Sequence, residues 1–138
     1  MDTIIELNFN VDDMTAEQLG FAMDILLEAG ARDVFFIPVT MKKNRPGTLV
    51  TVITTEDMRQ EIIELIFKHT TTIGIREKLC QRYVLDRTLE TIDSKFGPVR
   101  KKTVSGYGVT RSKYEYDDLS KIAKEKNLSI QEVLDQLD

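Results

Sequence analysis

The chain has 138 residues, enough for one domain that buries roughly two-thirds of its unfolded surface, and its 41% hydrophobic content supplies a core without disulfide or metal staples. A formal charge of −4 argues against nonspecific wrapping of nucleic acid, which draws on a broad excess of Lys and Arg, but leaves room for a local basic site. A lone cysteine, Cys80, excludes an internal disulfide and points to the cytoplasm.

The opening MDTIIELNFN carries Asp2 and alternates apolar with polar residues, a pattern of neither a signal peptide nor a membrane span. Ile5, Leu7, Phe9 and Val11 share one face of a first strand, with Glu6, Asn8 and Asn10 on the other. Thr15 followed by Gln18 predicts a capping box, and Leu19, Ala22, Met23, Leu26 and Leu27 form the stripe of a helix ended by Gly30. DVFFIPVTM and TLVTVIT are rich in β-branched and aromatic residues and predict a hairpin, turned at Pro46-Gly47. A second helix carries Met58, Ile62, Leu65 and Ile66 and frays near Thr70 to Thr72, before a fourth strand at roughly 75 to 85. Phe96-Gly97-Pro98 turns another hairpin between LETIDS and VRKKTV. Two short helices follow, with Asn127 ending the first and Ser129 and Glu132 capping the second.

The expected fold class is therefore α+β: a ferredoxin-like βαββαβ core over about 1–86, then a β-hairpin and a short C-terminal helical segment over about 87–138, in a single domain. Right-handed crossovers fix the strand directions of such a core. They bring NVDDMT (10–15), MKKNRPG (41–47) and HTTTIGIR (69–76) to the same end of the sheet. Together these loops hold Asp12, Asp13, Lys42, Lys43, Arg45, Thr70, Thr71, Thr72 and Arg76. Cations neutralise phosphate, hydroxyls and amides complete its hydrogen bonds, and a hard divalent ion bridges phosphate to carboxylate. The inventory fits a metal–nucleotide site. Each piece also has a plainer account: Asp12 and Asp13 suit the positive end of a helix, turn cations are commonly solvated, and a threonine run frays helices. Their shared location favours the joint reading.

Other chemistry finds less support. His69 and Cys80 are solitary of their kind, which argues against a zinc or nickel site built within the chain. One histidine supports no convincing Ser-His-Asp set, and there is no GxxxxGK[ST] loop. GYG at 106–108 reads as a plain turn, although Tyr107 could stack on a base; KYEYDDL reads equally as the start of a tail helix or as a functional segment, and of Lys101 and Lys102 only one can share a face with Val99. An RNA-binding sheet would display stacking aromatics, and TLVTVI has none.

The runs NVDDMTAEQLG, DVFFIPVTMKKNRPG, HTTTIGIR, FGPVRKKT and KYEYDD resemble, over nearly the whole chain, the carboxy-terminal domain of the nickel insertion proteins that mature the nickel-pincer nucleotide cofactor of lactate racemase. The resemblance implies a CTP-dependent chelatase. In this family nickel is the substrate, set between two thiocarboxylate sulfurs and a carbon of a pyridinium bisthiocarboxylate mononucleotide, while CTP is consumed with Mg or Mn. It further implies a ferredoxin-like core and assembly into trimers or hexamers, without nucleic acid or membrane as partner. By the same resemblance Asp12 and Asp13 hold the metal, and Lys42, Lys43, Arg45, Thr70, Thr71, Thr72, Arg76, Lys102, Glu115 and Tyr116 bind the nucleotide. The family usually has Glu at the positions of Asn8 and His69 and Pro at that of Tyr114, so no contact is carried over there. Its amino-terminal domain has no counterpart here, and the expectation is a CTP-binding piece that relies on that domain for insertion. The competing expectation is a non-catalytic assembly or regulatory module that docks an acidic partner through the basic turn.

Overall fold

The computed structural model describes residues 2–137, which form two compact units, one ending at Tyr83 and the other beginning at Val84. The first contains β1 (Asp2–Val11), α1 (Ala16–Glu28), β2 (Asp33–Met41), β3 (Arg45–Thr54), α2 (Arg59–His69) and β4 (Arg76–Arg82). Its sheet has the order β2-β3-β1-β4, each neighbouring pair antiparallel, as the split βαβ arrangement requires.

Period-two alternation along β1 buries Ile5, Leu7, Phe9 and Val11 against one side, where Val50 and Val52 of β3, Leu19 and Leu26 of α1, and Ile62 and Ile66 of α2 complete the core. On the opposite face Asn8 is also buried, because the Thr51 hydroxyl directly across the ladder donates to its Oδ1 at 2.7 Å. The capping box of α1 is complete: Gln18 N donates to Thr15 Oγ1 at 3.2 Å, and Thr15 N to Gln18 Oε1 at 2.9 Å. Leu27, expected on the apolar stripe, is exposed; one residue beyond buried Leu26, it turns away from the core.

The hairpin turn differs from its sequence signal. Met41 pairs with Arg45, so the chain reverses through Lys42–Asn44, with Lys43 (φ 62°) and Asn44 (φ 60°) left-handed. Pro46 and Gly47 lie inside β3, opposite Thr40 and Val39. Pro46 is tolerated there because the last β1–β3 pair is Val11 with Thr48, so no β1 residue is paired with it. Gly47 is required for another reason: a Cβ would crowd the Met41 sulfur and stand 2.8 Å from the Val11 carbonyl oxygen.

The second unit holds β5 (Asp86–Ser94), β6 (Gly97–Gly106), β7 (Val109–Tyr114), α3 (Tyr116–Lys126) and α4 (Ile130–Leu137). The expected hairpin is thus one part of a three-stranded antiparallel sheet, β5-β6-β7. Val99 of β6 packs with Leu119, Ile122 and Ala123 of α3 and Val133 of α4. Asn127 ends α3 in the left-handed region (φ 54°), and Ser129 Oγ accepts from Glu132 N at 3.0 Å to start α4. Among the described residues no helix is long and apolar enough to cross a membrane.

Candidate functional site

The segment leaving β1 touches both of the other loops at its end of the first sheet. Arg45, at the start of β3, sets its Nη1 3.6 Å from Asp12 Oδ2. The Thr71 hydroxyl, just past α2, donates to Asp13 Oδ1. Arg76 opens β4 and donates from Nη2 to Asn10 Oδ1 at 2.7 Å. Two loops remote in sequence therefore meet around residues 10–13, and antiparallel pairing on both sides of β1 is the cause.

The remaining members of the set differ in how they are engaged. Lys42 and Lys43 are on the left-handed turn, beside Arg45; Lys43 is exposed. Thr70 spends its hydroxyl proton on the Ile66 carbonyl at 2.8 Å, closing the end of α2, and Thr72 spends its own on the Gly74 carbonyl at 2.8 Å. Both oxygens keep lone pairs, so these hydroxyls shape the loop while Thr71 reaches across it.

Asp12 and Asp13 are hard oxygen donors at the amino end of α1. Among the described residues no three His, Cys, Asp or Glu side chains gather into a metal cage. The donor set fits an ion such as Mg or Mn that takes one or two carboxylates and draws its other oxygens from phosphate and water. It does not fit a soft thiolate site. The Cys80 thiol donates to Glu6 Oε2 at 3.3 Å, and that bond with the Glu6 charge pushes its pKa above the ordinary thiol value.

Beside Asp13 and Thr71 lies an open cleft of about 490 Å³ between the start of α1 and the end of α2. Phe21 and His69 form one wall, with ring centroids 5.7 Å apart and planes at 61°. Phe21 is 57% exposed, a large apolar cost in water unless a ring covers it. The sequence reading passed over Phe21 and weighed His69 only as a solitary metal ligand and a departure from the family; the signal for this wall was an aromatic on α1 outside the stripe of Leu19, Ala22 and Leu26.

Lys102, Glu115 and Tyr116 belong to the second unit. Lys102 and Glu115 line one cavity there, of about 340 Å³, with Arg87 and Leu89. Glu115 donates its backbone N–H to the Arg100 carbonyl at 3.0 Å and occupies the cap position of α3, and Tyr116 follows, 68% exposed. The start of α3 is pinned by Asp118, whose Oδ1 and Oδ2 accept from Arg100 Nη2 at 2.9 Å and Nε at 3.0 Å. This guanidinium holds the Asp118 carboxyl below the usual carboxylate range.

The profile of the nickel insertion protein family matches residues 1–134. The chain belongs to that family. Among curated relatives, the pyridinium-3,5-bisthiocarboxylic acid mononucleotide nickel insertion protein of Alkaliphilus metalliredigens is 46% identical over 132 residues, covering 96% of this chain and 31% of the relative. Its namesake from Acetivibrio thermocellus is 42% identical over 134 residues, covering 97% and 33%. The chain spans about a third of the length of these two nickel insertion proteins. Which third is settled by a solved structure, LarC2, described as the C-terminal domain of a cyclometallase involved in synthesis of the NPN cofactor of lactate racemase. It superposes with a TM-score of 0.90 at 35% identity, covering 98% of this chain and 94% of that one. A Methanopyrus kandleri protein at 23% identity and a TM-score of 0.74 shares the fold, covering 96% and 84%. Within the nickel insertion family this chain is thus a carboxy-terminal domain.

Proposed function

We propose that this chain is the CTP-binding part of a nickel insertase that delivers nickel, as substrate, into the pyridinium bisthiocarboxylate mononucleotide to give the nickel-pincer cofactor. The observation that carries the reading is the meeting of Asp12 with Arg45, Asp13 with Thr71 and Asn10 with Arg76 at one end of the sheet. Lys42, Lys43, Arg45 and Arg76 neutralise the triphosphate, and Thr70, Thr71 and Thr72 frame it with hydroxyls and backbone amides. Arg45, whose ion pair with Asp12 keeps the site ordered, would turn to a phosphate oxygen if that carboxylate held a divalent cation. When bound, Mg or Mn supplies charge neutralisation between the phosphates and Asp12 or Asp13. The base lies in the Phe21–His69 cleft of the first unit; Lys102, Glu115 and Tyr116 of the second unit are the remaining nucleotide-binding residues that the family resemblance implies. Homo-oligomerisation as trimers or hexamers, a cytoplasmic setting and cooperation with the family's amino-terminal domain belong to the same reading.

Calorimetric titration of the chain with CTP and Mn, against ATP and UTP, tests it. Saturable binding that prefers CTP, and that falls at least tenfold in Arg45→Ala, is the expected result, since a charge-assisted contact contributes about 1.5–3 kcal/mol. A flat titration with either Mg or Mn overturns it.

A further inference from the structure

Among the described residues the ion pairs are made by Arg45, Arg59, Arg82 and Arg100; none uses Arg87, Lys102, Arg111 or Lys113. Sheet register places these last four together. Lys102 stands directly between Leu89 and Lys113, and Val104, two residues along β6, directly between Arg87 and Arg111. Directly opposed residues project to one side of a sheet, as do residues two apart, so all six share a face. Val99 and Lys101 alternate to the other face, where Val99 packs on α3 and α4. Asp86 and Glu90 of β5 also fall on that side by alternation, and Asp93 lies at the far end of its strand. Among the described residues that line the cavities on this face, Glu115 is the one carboxylate, in the cavity with Arg87 and Lys102, while Arg100, two residues from Lys102, is already paired with Asp118.

Such a face is costly to maintain. Like charges directly opposed across a ladder repel, and Lys102 and Lys113 are so opposed in a chain whose carboxylates outnumber its cations. A multiply charged anion would relieve that repulsion. The geometry offers it a seat: a cavity of about 420 Å³ lined by Lys102, Val104, Arg111 and Lys113, next to the one holding Arg87 and Leu89. Leu89 is exposed, and with Val104 it puts an apolar surface between the cations, suited to a ring rather than to bare phosphate.

We propose that this face of β5-β6-β7 is a nucleotide-binding surface in its own right, with Arg87, Arg111 and Lys113 joining Lys102 around the phosphate and Leu89 and Val104 against the ring. The ligand class rests on the nucleotide reading above; the residues do not. Two nucleotides carry the required chemistry, CTP and a pyridinium mononucleotide bearing ring acids. The experiment separates them by titrating the intact chain and its R87Q/R111Q/K113Q variant with CTP plus Mn, and separately with nicotinate mononucleotide as the pyridinium probe. All three positions are exposed on strands, and circular dichroism verifies that the variant is folded.

The expected result is at least a tenfold loss of affinity in the variant for one probe, which names the source. Unchanged affinity for both, or binding of neither by the parent chain, overturns the proposal. Binding of CTP by the parent that the variant retains, with the pyridinium probe unaffected, rejects this face and leaves the reading of the first unit standing. Loss of pyridinium-probe binding in a chain that never binds CTP does the reverse.

Discussion

Thr54, at the end of β3, is fully buried and its hydroxyl finds no partner among the described residues. An unsatisfied buried hydroxyl costs about 1–3 kcal/mol, and Thr and Val are nearly the same shape. Thr54→Val is therefore expected to stabilise the first unit by about 1 kcal/mol, raising its Tm by a few degrees. A Tm that drops would mean the hydroxyl has a bound water or a neighbour that rewards it. The contrast is Thr51, one turn of the pleat away on the other face, whose hydroxyl is consumed by Asn8. Removing that partner leaves a buried amide oxygen with one bond fewer, so Thr51→Val should destabilise where Thr54→Val stabilises. The same distinction governs the candidate site: hydroxyls of Thr70 and Thr72 are committed to carbonyls within their own loop, and Thr71 alone reaches Asp13.

At the scale of elements, the start of α3 depends on one carboxylate. Asp118 accepts from the Arg100 guanidinium and from Arg100 N at 2.7 Å, tying the helix to β6 where β7 has already ended. Its pKa is held down first by the side-chain bond to Arg100, then by the backbone bond. A depressed carboxylate contributes stability that is complete above the unfolded value of about 3.9 and is lost as pH falls through the lower folded value. Wild type should accordingly melt higher than Asp118→Asn near neutrality, and the gap should close as pH drops below about 4. A gap that persists at low pH would assign the difference to packing or a neutral hydrogen bond.

Local signals were legible where local chemistry decides. Thr15 and Gln18 announced the α1 cap, and Asn127 the end of α3, because a cap is read within four residues. The Pro46-Gly47 signal misplaced its turn: Pro and Gly mark breaks, but here ladder register and the left-handed pair Lys43-Asn44 set the reversal, and Gly47 serves close packing against Val11. Strand β7 was missed because VTRSKY alternates without an apolar face. Loop convergence in the first unit followed from topology alone, whereas the Phe21–His69 wall needs the packing of two helices, and the basic face needs the register of three strands.

For the whole molecule, the decisive fact is that each unit has its own buried cluster, Ile5 to Ile66 in the first and Val99 to Val133 in the second. The clusters are unequal. The first draws on β1, β2 and β3 and on α1 and α2, with Phe9, Leu7, Leu26, Ile62 and Ile66 fully enclosed; among the described residues the second encloses only Val99 and Val133 to that degree. Small units bury a smaller fraction of their surface and become marginal as they shorten. A chain ended at Tyr83 should melt cooperatively as an isolated piece, while residues from Val84 onward alone should show a broad, low-temperature transition. Asp12, Asp13, Arg45 and Thr71 all remain in the first piece, so on the proposed reading it retains metal-dependent CTP binding. Circular dichroism melts and the same calorimetric titration measure both properties. A first piece that folds cooperatively yet binds no CTP would move the nucleotide site to the basic sheet of the second unit.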